Sequence, residues 1–293
     1  MTMVDNKRLF IKVTRDSLPQ VKDKYPFLYL ERGRLEIDDS SIKWIDSEGN
    51  VVPLPVATLN CLLLGPGTSI THDAVKTSAS ANCSICWVGE DSLLFYAAGI
   101  SPTSDSKNLK RQIELASNKT AALEVARRMF SRRFPGSDLE GKTLKEMMGT
   151  EGHRIRELYQ SKAEHYKVGW KGRDFVPGKF DLSDSTNQIL SACNAALYGI
   201  ICSGLHSLGY SPYVGFVHSG SPLPFVYDVA DLYKEHLCID LSFALTREMA
   251  GRYNKHKVSA AFRKRVIDMD LLSRLALDVP EILGVKDARG RRK

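Results

Sequence analysis

The apolar rhythm of the chain changes once, near residue 100, and that change constrains the fold more than any other feature. Before it, apolar residues come in runs of strand length: Phe27 to Ile37 with a glycine turn in the middle, Ser41 to Ile45, Val51 to Leu54, Leu59 to Leu64, Ile85 to Val88 and Leu93 to Ala97. Turn-forming stretches separate them, among them Glu48-Gly49-Asn50, Gly65-Pro66-Gly67 and Gly89-Glu90-Asp91, which is the punctuation of paired strands. One short helix, about His72 to Ser80, interrupts. From Lys107 the period becomes helical, with Leu109, Ile113, Ala116, Leu123, Ala126 and Phe130 on one stripe. The expectation is an α+β protein with a small β-rich domain at 1–100, a polar linker at 101–106, a larger all-helical domain at 107–283, and a mobile basic tail at 284–293.

Within the helical part, Thr143 with Glu146 three residues on forms a capping box, and the helix it opens reaches about Tyr166. A helix over about Ser185 to Leu208 is rich in Ala, Ser, Cys and Gly, so it is read as buried on most sides. A loop carrying Pro212, Pro222 and Pro224 leads into a further helix, about Phe225 to Met249.

Several classes are set aside. With 293 residues, 43% of them hydrophobic, the chain can build a sizeable core. The longest apolar run considered for a membrane span, Val51 to Leu64, is broken by Pro53, Pro55 and Asn60. Met1 to Val13 has no apolar core of a secretory signal. A cytoplasmic protein without a membrane partner is expected. The six cysteines include one CxxC pair, Cys83 and Cys86, and no second pair to complete a structural zinc site. They are read as core thiols.

Charge points to a polyanion. Lys and Arg number 41 against 34 Asp and Glu, a net +7. The excess is clustered. Ser104 to Phe134 holds eight basic residues and three acids, and Leu241 to Arg265 holds seven basic residues with Glu248 as the lone acid. Arg127, Arg128, Arg132, Arg133, Arg252, Lys255, Arg263 and Lys264 are the candidate residues for binding a polyanion such as DNA, the alternative being solvated helix faces.

Two features carry chemistry. Glu151 falls on the stripe Leu144, Met148, Ile155, Leu158, flanked by Gly149 and Gly152, which are read as allowing close backbone approach. A carboxylate there needs an arginine partner or a metal ion. The second is Gly215-Phe216-Val217-His218 followed by Phe225-Val226-Tyr227-Asp228-Val229-Ala230-Asp231. Asp228 near a helix start is open to a capping role, whereas Asp231 is deeper. A histidine and two carboxylates, with a stripe glutamate on another helix, form a metal-site inventory.

Together with Leu64-Gly65-Pro66-Gly67-Thr68, Trp87-Val88-Gly89-Glu90 and Gly149-Thr150-Glu151-Gly152, these segments resemble the CRISPR-associated integrase family, and within it the type I-E subgroup, over about residues 25 to 270. The resemblance implies metal ligands at Glu151, His218 and Asp231, a further catalytic aspartate at Asp228, and Mg²⁺ or Mn²⁺ as cofactor. It implies a metal-dependent DNA endonuclease and integrase that joins protospacer DNA to a CRISPR repeat by 3′-hydroxyl attack. It implies a homodimer, assembled with a small ferredoxin-like adaptation partner into a heterohexamer. Apolar strands over a modest core also suggest that the β-rich domain covers itself with a second copy. Glu31-Arg32-Gly33 stands where relatives carry a duplex-wedging tyrosine, and Ser221 where they carry lysine. A metal-dependent nuclease with no integrase role, and a non-catalytic DNA-binding protein, are the competing readings.

Overall fold

All four side chains of the strand Cys61–Leu64 are buried, and a strand reaches that state only with cover on both faces. The computed structural model, which describes residues 19–38, 41–89, 95–99, 106–174 and 183–284, shows what the cover is. Eight strands are described: β1 (Leu28–Leu30), β2 (Gly33–Asp38), β3 (Ser41–Asp46), β4 (Val51–Leu54), β5 (Cys61–Leu64), β6 (Thr68–Ile70), β7 (Ser84–Val88) and β8 (Phe95–Gly99), with helix α1 (His72–Ser80) between β6 and β7. They form two four-stranded sheets, ordered β1-β5-β7-β8 and β4-β3-β2-β6. In the first sheet β1, β5 and β7 run parallel and β8 pairs antiparallel at the edge.

Successive side chains on a strand point to opposite faces, and here the two faces feed different cores. Leu62, Leu64 and Ile85 pack with Leu35, Ile42, Trp44 and Leu54 of the second sheet and with Ala74 of α1. Cys61, Leu63, Cys86 and Val88 belong to the larger core of the helical part. The helices of that part are α2 (Lys107–Ser117), α3 (Lys119–Arg133), α4 (Leu144–Tyr166), α5 (Ser185–Ser207), α6 (Pro224–Ala230), α7 (Asp240–Glu248), α8 (Lys255–Asp268) and α9 (Leu271–Ile282). Among the described residues from 106 onward no strand occurs, so the α+β expectation holds.

Helix α5 lies at the centre. Its Gly199 sits so close to β5 that an added Cβ would stand 3.0 Å from Leu63 Cδ2. Ser203 Oγ donates to the Asn60 carbonyl at 3.1 Å. Contrary to the expectation from the sequence, α5 is long and apolar enough to cross a membrane, but 83% of its apolar window is buried inside the chain. All six cysteines are buried and free, as the core-thiol reading has it. The argument for a second copy from bare strand faces fails, because α5 covers that face within the same chain. Apolar residues left exposed in the β-rich part include Val51 and Val52 on the edge strand β4.

Three helical readings are corrected. Residues 107–133 break into α2 and α3 at Asn118, whose side chain caps α3 by accepting from Ala121 N–H at 3.0 Å. Ile113 is therefore exposed, while Gln112 turns inward and donates to the carbonyls of Ser211 and Val214. On α4 the buried methionine is Met147 and not Met148. The helix read over 225–249 is interrupted after Ala230 and continues through a π-helical turn, Glu235–Ile239, into α7. The capping box of α4 is present, with Thr143 N–H donating to Glu146 at 2.8 Å. Most of the linker and of the basic tail, 101–105 and 285–293, lies outside the described residues.

Candidate functional site

The loop between α5 and α6 is held by one carboxylate. Gly215 passes so near α6 that a Cβ there would lie 2.6 Å from Pro224 Cβ and 3.0 Å from Asp228 Oδ2, so only glycine fits. This close passage lets the next three N–H groups reach Asp228. Phe216 and Val217 donate to Oδ2 at 2.6 and 3.1 Å, and His218 N–H donates to Oδ1 at 2.9 Å. The His218 ring adds a fourth contact, Nδ1 to Oδ1 at 2.8 Å. The Asp228 side chain is 0% exposed. It does not cap its own helix, and it cannot touch a substrate.

A carboxylate only accepts, so Nδ1 carries the proton, and in the neutral ring the lone pair of His218 sits on Nε2. Nε2 faces Asp231 Oδ2 at 3.6 Å. The hydrogen bond that the ring donates to Asp228 raises the His218 pKa, burial opposes it, and the charge of Asp231 adds to the rise.

Asp231 closes α6 as its last turn gives way to the π-helical segment. Its Oδ1 takes Lys234 Nζ at 2.7 Å, and its Oδ2 stands 3.4 Å from Arg133 Nη1. The same Arg133 nitrogen is in contact with Glu151 Oε1. Burial alone would push the Asp231 carboxyl up, but Lys234, Arg133 and His218 together hold it below its ordinary value. Burial likewise works against the Lys234 charge, and Asp231 and Tyr198 overcome it and raise its pKa. Lys234 also lies 5.0 Å over the Tyr198 ring. Glu151, Asp231, Arg133 and Lys234 line a cavity of ≈ 230 Å³. Lys234 also borders a larger one of ≈ 910 Å³ with Tyr159, Arg173, Tyr198 and Tyr227.

The fold thus brings Glu151, His218 and Asp231 to one place from α4, a loop and α6. Among the described residues no three His, Cys, Asp or Glu side chains are spaced to hold a metal ion. The donor set itself, two carboxylates and an imidazole with its free nitrogen turned inward, is one that Mg²⁺ or Mn²⁺ accepts. A monovalent cation, the Arg133 guanidinium, lies between the two carboxylates. Of the two readings of Glu151, this structure shows the arginine-paired one.

Arg133 therefore leaves the proposed DNA face for the site itself. Its neighbours are spoken for as well. Arg127 is paired with Glu124 and donates to the Lys142 carbonyl, Arg128 donates to the Ile282 carbonyl, and Arg132 reaches Asp278 and Glu281 on α9. Lys255 pairs with Glu31, Lys264 with Asp268, and Arg263 packs over Phe27. Arg252 is exposed. Gly149 and Gly152 face open space rather than a packed backbone. Sequence reasoning missed Arg133 and Lys234 as members of the site. Lys234, three residues after Asp231, was within reach of a helical-spacing argument, whereas nothing set Arg133 apart from the other arginines on α3.

Comparison with known proteins gives a consistent result. Residues 136–261 match the family described as CRISPR associated protein Cas1. The chain is 65% identical over 279 residues to the CRISPR-associated endonuclease Cas1 2 of Chlorobaculum tepidum, covering 95% of this chain and 94% of that one. It is 34% identical over 231 residues to the CRISPR-associated endonuclease Cas1 of Escherichia coli K12, covering 79% and 76%. Among solved structures it resembles the TtCas1–DNA complex, with a TM-score of 0.66 and 37% identity over 91% of this chain and 99% of that chain.

Proposed function

The chain belongs to the Cas1 family of CRISPR-associated endonucleases, and on that premise we propose that it is a metal-dependent DNA integrase that inserts protospacer DNA into a CRISPR array. The observation that supports this reading most is the meeting of Glu151, His218 and Asp231 from three separate elements, with His218 Nε2 directed at Asp231.

The reaction is attack of a DNA 3′-hydroxyl on a phosphodiester. One P–O bond forms and one breaks, so no nucleotide triphosphate is consumed. Glu151 and Asp231 with His218 Nε2 would hold Mg²⁺ or Mn²⁺, which stabilises the charge gathering on phosphorus and on the leaving oxygen. The chain's own contribution is positioning and charge balance. Asp228 fixes the His218 tautomer and ring orientation through the Nδ1 contact. Lys234 offsets the Asp231 charge from within the helix that follows, so that a phosphate is not met by bare carboxylates. When water replaces the DNA hydroxyl, the same site cleaves DNA.

Double-stranded DNA, both protospacer and repeat, is the proposed partner. Arg252, Lys264 and the outer edge of Arg132 are offered for phosphate contact on exposure, and Arg127, Arg128, Lys255 and Arg263 on charge. The homodimer, the small ferredoxin-like partner and its heterohexamer, the type I-E subgroup, the division into a β-rich and a catalytic helical domain, and a cytoplasmic site of action complete the proposal.

The test is strand transfer from a short duplex into a supercoiled repeat-bearing plasmid, with the partner protein and Mg²⁺ or Mn²⁺. Glu151→Gln, His218→Ala and Asp231→Ala should each lower strand transfer by about two orders of magnitude or more, while DNA affinity stays within a few-fold because phosphate contacts elsewhere supply it. Near wild-type transfer by any one of the three removes that residue from the ligand set. Cleavage without transfer, with and without the partner, would select the nuclease reading.

A further inference from the structure

Arg133 ends α3, outside both elements that carry the site's carboxylates, and its side chain is 10% exposed. One of its nitrogens, Nη1, touches Glu151 Oε1 and stands 3.4 Å from Asp231 Oδ2. Asp231 Oδ2 is also the atom that faces His218 Nε2, whereas Lys234 takes the other oxygen, Oδ1. The guanidinium therefore engages the same two carboxylate oxygens that a divalent ion bound by these residues would use, and leaves aside the one that Lys234 neutralises. Two carboxylates brought together in a poorly hydrated cavity repel unless a cation joins them. With Arg133 and Lys234 the four charges cancel, and the cluster is stable without any ion. The Arg133 guanidinium also lies 5.1 Å from the Phe134 ring centre, which it shares with Arg154.

We propose that Arg133 is the internal counter-cation of the metal-free site, which occupies the place of the divalent ion and is displaced from Glu151 and Asp231 when that ion binds. The inference rests on the reading of Glu151, His218 and Asp231 as metal ligands. It makes loading an exchange of one bound cation for another, so that the arginine weakens the apparent affinity for the ion while protecting the empty site.

Mn²⁺ titrated calorimetrically into the full chain, together with melting in chelator and in Mn²⁺, tests it without recourse to activity. Arg133→Met keeps bulk and removes charge. It should bind Mn²⁺ about tenfold more tightly than wild type, melt at lower temperature in chelator, and gain more from Mn²⁺. Arg133→Gln, which can still hydrogen-bond both acids, should show the same tightening if the methionine variant does not fold. Arg133→Lys, which keeps the charge, should stay near wild type. Equal or weaker Mn²⁺ binding by Arg133→Met and Arg133→Gln, with Glu151→Gln abolishing binding, overturns the exchange and leaves the metal site standing. Mn²⁺ bound by neither the wild type nor the arginine variants overturns both.

Discussion

The seam between β5 and α5 and the clamp around Asp228 are both sealed from water, and opposite physics holds them. At the seam Leu63 fills the space that Gly199 leaves, and any apolar side chain of similar volume would make nearly the same contacts. At the clamp each Asp228 oxygen receives two donors. Shape is not enough there, because an atom of the right size but the wrong hydrogen-bonding sense turns two bonds into two repulsions. Apolar burial thus specifies a volume, while polar burial specifies the identity of every atom. The second is the costlier way to fix a loop and the more exact one, which suits a loop that must present one ring nitrogen.

Isosteric substitutions at the two places should pull this contrast apart most widely. Asp228→Asn places an amide nitrogen either against the Phe216 and Val217 N–H donors or, turned over, against the His218 N–H and its ring nitrogen, which must then give up the Nδ1 proton. It should lose about 3 kcal/mol of stability in denaturant unfolding. It should also lower metal affinity by about 10- to 100-fold through misplacement of His218. Leu63→Met, equally close in size, should cost only about 1 kcal/mol and leave metal binding unchanged. Similar losses from both would mean that the clamp is held by packing, and the contrast would fall. The same seam should still be sensitive to volume, and Leu63→Ala should cost about 3 kcal/mol in the same assay by leaving a cavity beside Gly199.

A further effect is in pH. His206, near the end of α5, has its pKa lowered to about 4 by burial. Unfolded, a histidine takes up a proton near pH 6.5. Between pH 6.5 and 4 the unfolded chain therefore binds the proton that the folded chain refuses. Stability attributable to His206 should be complete above pH 6.5, fall as pH drops towards 4, and level off below. His218 is held the other way, its pKa raised mainly by the bond to Asp228, so its share is present at low pH and fades as pH rises through the raised value. Melting temperature followed against pH for wild type and His206→Gln should show the variant losing the fall below pH 6.5. An unchanged profile would show that the ring meets water.

Much of the fold was legible because it is written in neighbouring residues. The short apolar runs that made β5 and β7 strands, the Thr143–Glu146 capping box and the buried character of α5 all act within a few positions of themselves. What failed was phase. The stripes through Ile113 and through Met148 were each drawn on an ideal helix, and a break at Asn118 and a shift of one position on α4 moved the inward residues to Gln112 and Met147. The π-helical turn after Asp231 left no mark in the periodicity, since its five residues, Glu235 to Ile239, carry the same mix of apolar and polar side chains as a regular turn.

The sequence by itself determined most of the strands and helices, that the chain turns from strands to helices near residue 100, and which acids and which histidine make a site inventory, because periodicity and motif spacing are local properties. Only the tertiary structure decided the partners. It laid α5 on the second face of the β1-β5-β7-β8 sheet, gave Asp228 to a loop instead of its own helix, and chose Arg133, out of a run of similar arginines, to lie between Glu151 and Asp231. Charge alone does not rank those arginines. The ranking comes from where the last turn of α3 ends against α4 and α6, and that depends on packing between segments that are far apart along the chain.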